Sequence, residues 1–402
     1  MGEINPIGIA VPFFFGLMLI EFGYAKWRGL SLYRFNDAIA ALTCGMGDQL
    51  LGIVLGVVGL SAYHHVFSAY GWLSLDPSAP STWVFGVVAV DLCYYAFHRY
   101  GHRVNLGWAV HVVHHQSEEY NLAVALRQPW FAQIYSWVFY LPLALLGLPT
   151  VVWAGSFAIN LLYQFWIHTR AIGKLGPIEW VMNTPSHHRV HHGTNPEYID
   201  KNYAGIFIIW DRMFGTFEEE QAEVVYGIMK PMRSWNPVTA NLMPLVDLVR
   251  ASAGETSWVD KLKMWVAPPG WTAAGVSHPP FPAPGRGYDA NAVPELDLYI
   301  LVHLLPVGTA TGFVIAYSAL WPASWLGLGA AYIFWTGLNW AALHEGVRFA
   351  LLSERLRLAV VGAAGVAAAA MLTGPLVWVG GTLAGLSLLS APAVLRPQAA
   401  TA

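Results

Sequence analysis

The sequence predicts an all-α, polytopic membrane protein of about nine transmembrane helices, with a histidine-rich site for two metal ions facing the cytoplasm. Three observations predict it. The 402 residues are 56% hydrophobic and only 11% charged, whereas soluble chains carry about 25% charged residues. Apolar stretches long enough to cross a bilayer recur along the chain. Ten of the 15 histidines fall between His98 and His192, in groups with helical spacing.

The N-terminus has no basic segment before its first apolar run, so no cleaved signal peptide is expected. Pro6 stands where a myristoylation signal wants Ser or Thr. The first span is read from Pro6 to Tyr24, and Lys26, Arg28 and Arg34 follow it. The second, Ala38 to Leu60, contains Asp48. An acid inside a span either serves function or bonds a neighbouring helix. The loop from Ser61 to Ser81 has no Lys or Arg. The third span, Trp83 to Ala96, runs into His98. Asp91 lies two turns before His98 on the same face and is a candidate partner for an imidazole N–H.

From His98 to Gln128 the chain is polar and is expected to lie helical at the membrane surface. Trp130 to Leu146 and Val151 to Ile167 then form a hairpin turned at Gly147-Leu148-Pro149. His168 ends its second arm, and Gln164, one turn earlier, is a candidate further ligand. Thr184-Pro185 reads as a helix start and Gly193 as its stop, which makes a two-turn helix of the last histidine group. Polar sequence continues to Pro294, rich in Pro and Gly from Pro268 onward. Leu296 to Leu320, Leu326 to Ala342, Leu358 to Leu372 and Leu376 to Leu389 read as the last four spans. The chain thus divides into a membrane domain over residues 1–250, a Pro/Gly-rich linker over 251–294 and C-terminal transmembrane helices over 295–402.

Charge orients this topology. With the N-terminus outside, all 21 Lys and Arg residues fall on one side of the membrane: three after the first span, three after the third, eleven after the fifth, three after the seventh, and Arg396. The positive-inside rule makes that side cytoplasmic. The clustered histidines lie on the same side. The chain is therefore expected in a bacterial inner membrane or the endoplasmic reticulum. Trp, Tyr and Phe are abundant, at 19, 18 and 19 residues, as aromatic belts at the interfaces require. The net charge of -3 gives no hint of nucleic acid. Cys44 and Cys93 fall in apolar segments and form no disulfide framework or zinc knuckle.

The histidines carry the chemistry. His98 and His102 stand at i, i+4; His111, His114 and His115 at i, i+3, i+4; His188, His191 and His192 repeat that spacing, with His187 just ahead and His168 alone between. Positions i, i+3 and i+4 share a helix face, so each group is expected to aim its imidazoles at one point. Neutral imidazole suits iron, zinc, copper and nickel, and this number of ligands suits two ions. His64, His65, His278, His303 and His344 stand apart and are expected to be ordinary packed or interfacial residues.

The HxxxH, HxxHH and HxxHH groups around a membrane hairpin resemble the fatty acid hydroxylase / sterol desaturase superfamily of membrane di-iron oxygenases. The runs Asp91 to Arg127, Leu161 to Thr169 and Asn183 to Thr216, through Asn202-Tyr203-Ala204-Gly205 and Trp210-Asp211, are similar to its alkylglycerol monooxygenase branch. The resemblance implies two ferrous irons held by His98, His102, His111, His114, His115, His168, His188, His191 and His192. It leaves His187, Gln164 and Asp91 as further ligands or their partners, and makes residues 1–250 a di-iron hydroxylase domain. It implies a lipid substrate entering from the bilayer, O2, and hydroxylation beside an ether oxygen. The hemiacetal would fall apart to a fatty aldehyde and a glycerol derivative.

The branch takes its electrons from tetrahydrobiopterin. The chain departs from it at one position: animal members have glutamate after the second histidine of the first group, and here that residue is Arg103. An arginine accepts no hydrogen bond, so Glu118 and Glu119 are the nearest candidate acceptors for a pterin. No haem, flavin or dinucleotide motif is present, so the electron donor is external. A hydroxylase or desaturase of a sterol, carotenoid or fatty acyl lipid is the alternative enzyme. A membrane metal-binding or transport protein is the alternative from another class.

Overall fold

The computed structural model describes residues 6–277, 279–281, 288, 294–320, 322–371 and 385. It is mostly helical. Among the described residues, four helices are long and apolar enough to cross a membrane: α1 (Pro6–Arg28), α2 (Phe35–Tyr70), α3 (Pro80–Arg103) and α11 (Pro294–Ala316). They contain the expected spans one, two, three and most of six. At 36 residues, α2 is about 54 Å long at 1.5 Å per residue, well beyond the expected span.

The hairpin turns where expected, but its arms differ. Residues of the first arm make two 3-10 turns, Ala132–Ile134 and Ser136–Tyr140, and then the short α5 (Leu141–Leu146). Gly147 ends α5 at φ 100°, a conformation that costs a Cβ-bearing residue energy. A Cβ there would also lie 2.1 Å from the Leu73 carbonyl oxygen. The second arm is the continuous α6 (Thr150–Trp166).

The first histidine group ends α3, and the second lies on a separate helix, α4 (Asn105–His115), with Val104 extended between them. Beyond α4 the chain to Gln128 is turns, with one 3-10 turn at Val124–Leu126. The helix expected there stops at His115. The last group is α7 (Pro185–His191), with Thr184 as N-cap, Pro185 in its first turn and His192 as C-cap. The Thr184 hydroxyl does not cap the helix; it donates to Glu179 Oε1 at 2.8 Å.

The polar region carries α8 (Ile209–Phe214), α9 (Pro237–Gly254), α10 (Trp258–Val266) and a two-residue hairpin of β1 (Trp271–Thr272) and β2 (Gly275–Val276). Helices α9 and α10 pack on α4 through Ala109, Leu248 and Met264. Asn105 Nδ2 donates to the Met264 carbonyl at 2.8 Å. The expected spans seven and eight fall in α12 (Ala323–His344) and α13 (Ala350–Met371), the latter as far as its last residue. The ninth, Leu376–Leu389, lies outside the described residues apart from Gly385, as does His278.

One apolar cluster ties the two ends of the chain together. Met18, Ile39, Leu42, Phe165, Ile300, Trp340 and Leu358 are all buried in it. It also includes Leu122 and Ala123, from the turns behind α4. The C-terminal helices thereby brace the segment that carries the second histidine group.

Candidate metal centre

Nine imidazoles meet in two buried groups. His98, His102, His111, His115 and His191 form one; His114, His168, His188 and His192 form the other. Within each group one ring nitrogen per residue lies within 4.8 Å of the rest. The expectation that each box aims at one point is corrected here. A helix turns about 100° per residue, so i and i+4 point about 40° apart while i+3 falls to the other side. His111 and His115 therefore enter the first group and His114 the second. In α7 the roles reverse: His188 and His192 enter the second group and His191 the first. Each HxxHH box thus serves both groups, and the groups abut. The His115 and His192 rings stack at 4.3 Å.

Backbone carbonyls set the tautomers. The Nδ1–H of His98 donates to Tyr203 O at 2.7 Å, that of His114 to Arg127 O at 3.1 Å, that of His168 to Gln164 O at 2.7 Å and that of His191 to Lys201 O at 3.0 Å. An imidazole with a committed Nδ1–H presents a bare lone pair at Nε2. Burial lowers the pKa of His114 to about 4 and holds His168 well below its ordinary value, so both rings are neutral near pH 7. Their Nε2 atoms nevertheless face each other at 3.1 Å, and neither has a proton to give.

That arrangement fits a cation. Nitrogen binds such metals at about 2.0–2.1 Å, which spaces adjacent ligand nitrogens about 2.9–3.4 Å apart in octahedral to tetrahedral geometry. The observed spacings are 3.0 Å for His98 to His111, 3.2 Å for His111 to His115 and 3.0 Å for His168 to His188. His102 Nε2, His191 Nε2 and His192 Nε2 are buried with no hydrogen-bond partner among the described residues. Each orphan costs roughly 1–3 kcal/mol, a heavy load against the roughly 5–15 kcal/mol that stabilises a domain. A metal ion held by each group would remove it.

The fatty acid hydroxylase family profile matches residues 83–216, which include all nine of these histidines. Alkylglycerol monooxygenase of Xenopus tropicalis is 39% identical over 74% of this chain and 68% of its own length. Those of Danio rerio and Homo sapiens are 45% and 43% identical, each over 65% of this chain and 59% of their own. The chain belongs to the alkylglycerol monooxygenase family, within the fatty acid hydroxylases. It spans less than two thirds of the length of the last two relatives. No solved structure matches it.

The runs that carry the family likeness are the ones that hold the imidazoles. Asp211 accepts from the Tyr203 and Ala204 amides at 2.8 Å each and from the Thr216 hydroxyl at 2.7 Å. This fixes the loop whose carbonyls orient His98 and His191. Asp91 does not meet an imidazole. Its carboxylate accepts from the Ile206 and Phe207 amides and Trp210 Nε1 at 2.7–2.9 Å, and from Asn160 Nδ2. The face two turns before His98 is taken by that loop. Gly205 allows the approach, since a Cβ there would lie 2.6 Å from Asp91 Oδ1.

Gln164 lies outside both groups. Its side chain bonds Asn160, and its carbonyl orients His168. His187 is buried against Phe217, also outside both groups. Arg103 pairs with Asp200 at 2.8 Å, and the other Asp200 oxygen lies 3.8 Å from His102 Nδ1. Glu118 pairs with Arg34 at 2.9 Å and Glu119 with Arg170 at 2.7 Å. Asp48 bonds Gln133 and Gln49, the bland alternative for an acid in a span. Sequence reasoning missed Glu21. This buried acid of α1 accepts from Tyr33, Thr169 and the Leu122 amide, and so ties the residue after His168 to the turns behind α4. Its signal was the same as that of Asp48: an acid inside an apolar run. His64 and His65 are exposed; His303 and His344 are buried away from the nine.

Proposed function

We propose that this chain is a di-iron, O2-dependent monooxygenase that cleaves the O-alkyl bond of glyceryl ethers. The facing Nε2 atoms of His114 and His168 carry the reading, because two bare lone pairs at 3.1 Å need a cation between them. The nine imidazoles of the two groups are its ligands, with His187, Gln164 and Asp91 supporting them from outside. When bound, the irons supply the oxidising power that an unactivated C–H bond demands. The protein supplies the rest: it fixes ring tautomers through backbone carbonyls, excludes water, and positions the lipid.

The reaction consumes O2, two electrons and two protons for each substrate. One oxygen atom goes to the carbon beside the ether oxygen and the other to water. The hemiacetal formed collapses to a fatty aldehyde and a glycerol derivative. The donor is external to the chain, and a reduced pterin is the one that the family favours. The domain divisions at residues 250 and 294 and a nine-span topology with the histidines in the cytoplasm complete the proposal.

The test is incubation of iron-loaded enzyme with a 1-O-alkylglycerol, O2 and tetrahydrobiopterin. The expected products are a fatty aldehyde of the alkyl chain length and free glycerol, in equal amounts. Turnover of a sterol, carotenoid or fatty acyl lipid with the ether left intact would give the function to the alternative enzyme.

A further inference from the structure

We infer that α10 is an interfacial anchor: its outward face beds into the boundary of headgroups and acyl chains in the bilayer that the chain's own helices cross. The inference does not depend on which lipid is oxidised or on what supplies the electrons.

The pattern of α10 is inverted. On a water-facing surface a helix turns its apolar residues inward and its polar ones outward. In α10, Trp258, Val259, Leu262 and Val266 are 69–78% exposed. At about 100° per residue, these four fall within an arc of about 100°. Met264, on the opposite side, is buried with Ala109 and Leu248. The helix therefore packs on the protein through its far side and turns an apolar stripe outward, uncovered among the described residues.

Lysines border the stripe. Lys261 lies about 60° beyond Trp258, and Lys263 about 40° beyond Val259. Lys261 Nζ reaches back over the Trp258 ring at 5.0 Å, and Lys263 Nζ lies over the Trp271 ring at 4.8 Å. Tryptophan favours the membrane–water interface, and lysine stems lie along apolar surface while their heads reach water. An apolar stripe edged in this way is the form of a helix lying in the interface plane. Glu255 and Asp260 offset the two lysines. The fit is thus to acyl chains under a neutral headgroup, and not to an acidic protein or nucleic acid.

The position agrees. Helix α3 is long and apolar enough to cross the membrane, and it ends at Arg103. Two residues on, the Asn105 amide donates to Ala267 O at 2.8 Å and Asn105 Nδ2 to Met264 O at 2.8 Å. The C-terminal end of α10 is thereby pinned to the end of a spanning helix. Asn105 also begins α4, which carries His111, His114 and His115. A bilayer that seats α10 therefore sets the depth of the helix that feeds both histidine groups.

The experiment places the environment-sensitive dye NBD on Leu262→Cys and, separately, on Asp260→Cys. The full chain is loaded with iron and held in phosphatidylcholine nanodiscs, and the chain without an added cysteine sets the background. Residue 260 faces about 150° away from the middle of the stripe. At Leu262→Cys the emission should shift to the blue, lose intensity to lipids carrying a doxyl group near the headgroup, and resist aqueous iodide. At Asp260→Cys iodide should quench and doxyl lipid should not. Iron content measured on the same samples shows that both variants keep the fold. Equal iodide quenching at the two positions would put the stripe in water and overturn the inference. A Leu262→Cys dye shielded from iodide yet untouched by doxyl lipid would mean that protein covers the stripe, from this chain or a second copy, and would overturn it as well.

Discussion

At the scale of single residues, the two groups differ in how replacement should read out. His111 lies in the first group only and His114 in the second only. His111→Ala and His114→Ala are therefore each expected to lower iron from two ions per chain toward one, and to abolish aldehyde formation. Elemental analysis of folded, reconstituted protein checks this, and full occupancy in both variants would show that the imidazoles are not ligands. His64→Ala should be silent, since that ring is exposed and its hydrogen-bond partner among the described residues is Thr150. Asp91 tests how the centre is held. Its two oxygens receive two amides, an indole N–H and an amide side chain. Asp91→Asn would turn an NH2 toward donors, at a cost of roughly 1–3 kcal/mol per unmade bond. The expected result is a lower melting temperature and weaker iron binding at the first group, whose His98 and His191 depend on that loop. Equal loss from both groups would mean that Asp91 supports the fold at large.

At the scale of elements, close backbone approaches decide which positions tolerate change. A Cβ on Gly45 of α2 would lie 2.2 Å from the Leu126 carbonyl oxygen. The Val124–Leu126 turn leads into Arg127, whose carbonyl orients His114. Gly45→Ala should push that turn outward, costing about 1–3 kcal/mol as overpacking does, and loosen the second iron before the first. Chelator-release kinetics would show it; a single, unchanged release phase would sever the link between α2 and the site. Helical spacing made the boxes, the two-turn α7 and the Gly147 hairpin legible in the sequence, because each is set within a few residues. The assembly of two centres from the two HxxHH boxes was not legible, since it depends on how α3, α4 and α7 face one another. Nor were the long-range contacts. Arg34 donates to the Tyr288 carbonyl across 254 positions, and no local pattern records that. Asp91 was misplaced for the same reason: its partners lie 69 to 119 residues later, from Asn160 to Trp210.

At the scale of the whole molecule, a buried ion pair holds the C-terminal helices together. Glu354 and Arg357 are buried together in α13, at 0% and 1% exposure, with Tyr299 of α11 and Asn339 of α12 on the same carboxylate. Glu354→Ala would leave a buried guanidinium without its acid, a loss of roughly 3–5 kcal/mol by analogy with other broken pairs. It should release α11 to α13 from the core they share with α1 and α2, which a lower melting temperature would show. Arg357 also weakens the charge argument for topology slightly, since a paired and buried arginine is not a free charge on a loop. In the nine-span reading the remaining cations fall on one side, and that orientation can be tested directly. Asp76, in the loop before α3, and Lys263, on α10, are both exposed, and the nine-span reading sets them on opposite faces of the membrane. In intact cells a membrane-impermeant maleimide should label Asp76→Cys at once and Lys263→Cys only after the membrane is opened. Native Cys44 is buried and Cys93 half-buried, which keeps background low. Immediate labelling at Lys263→Cys alone would invert the topology and put the histidines outside.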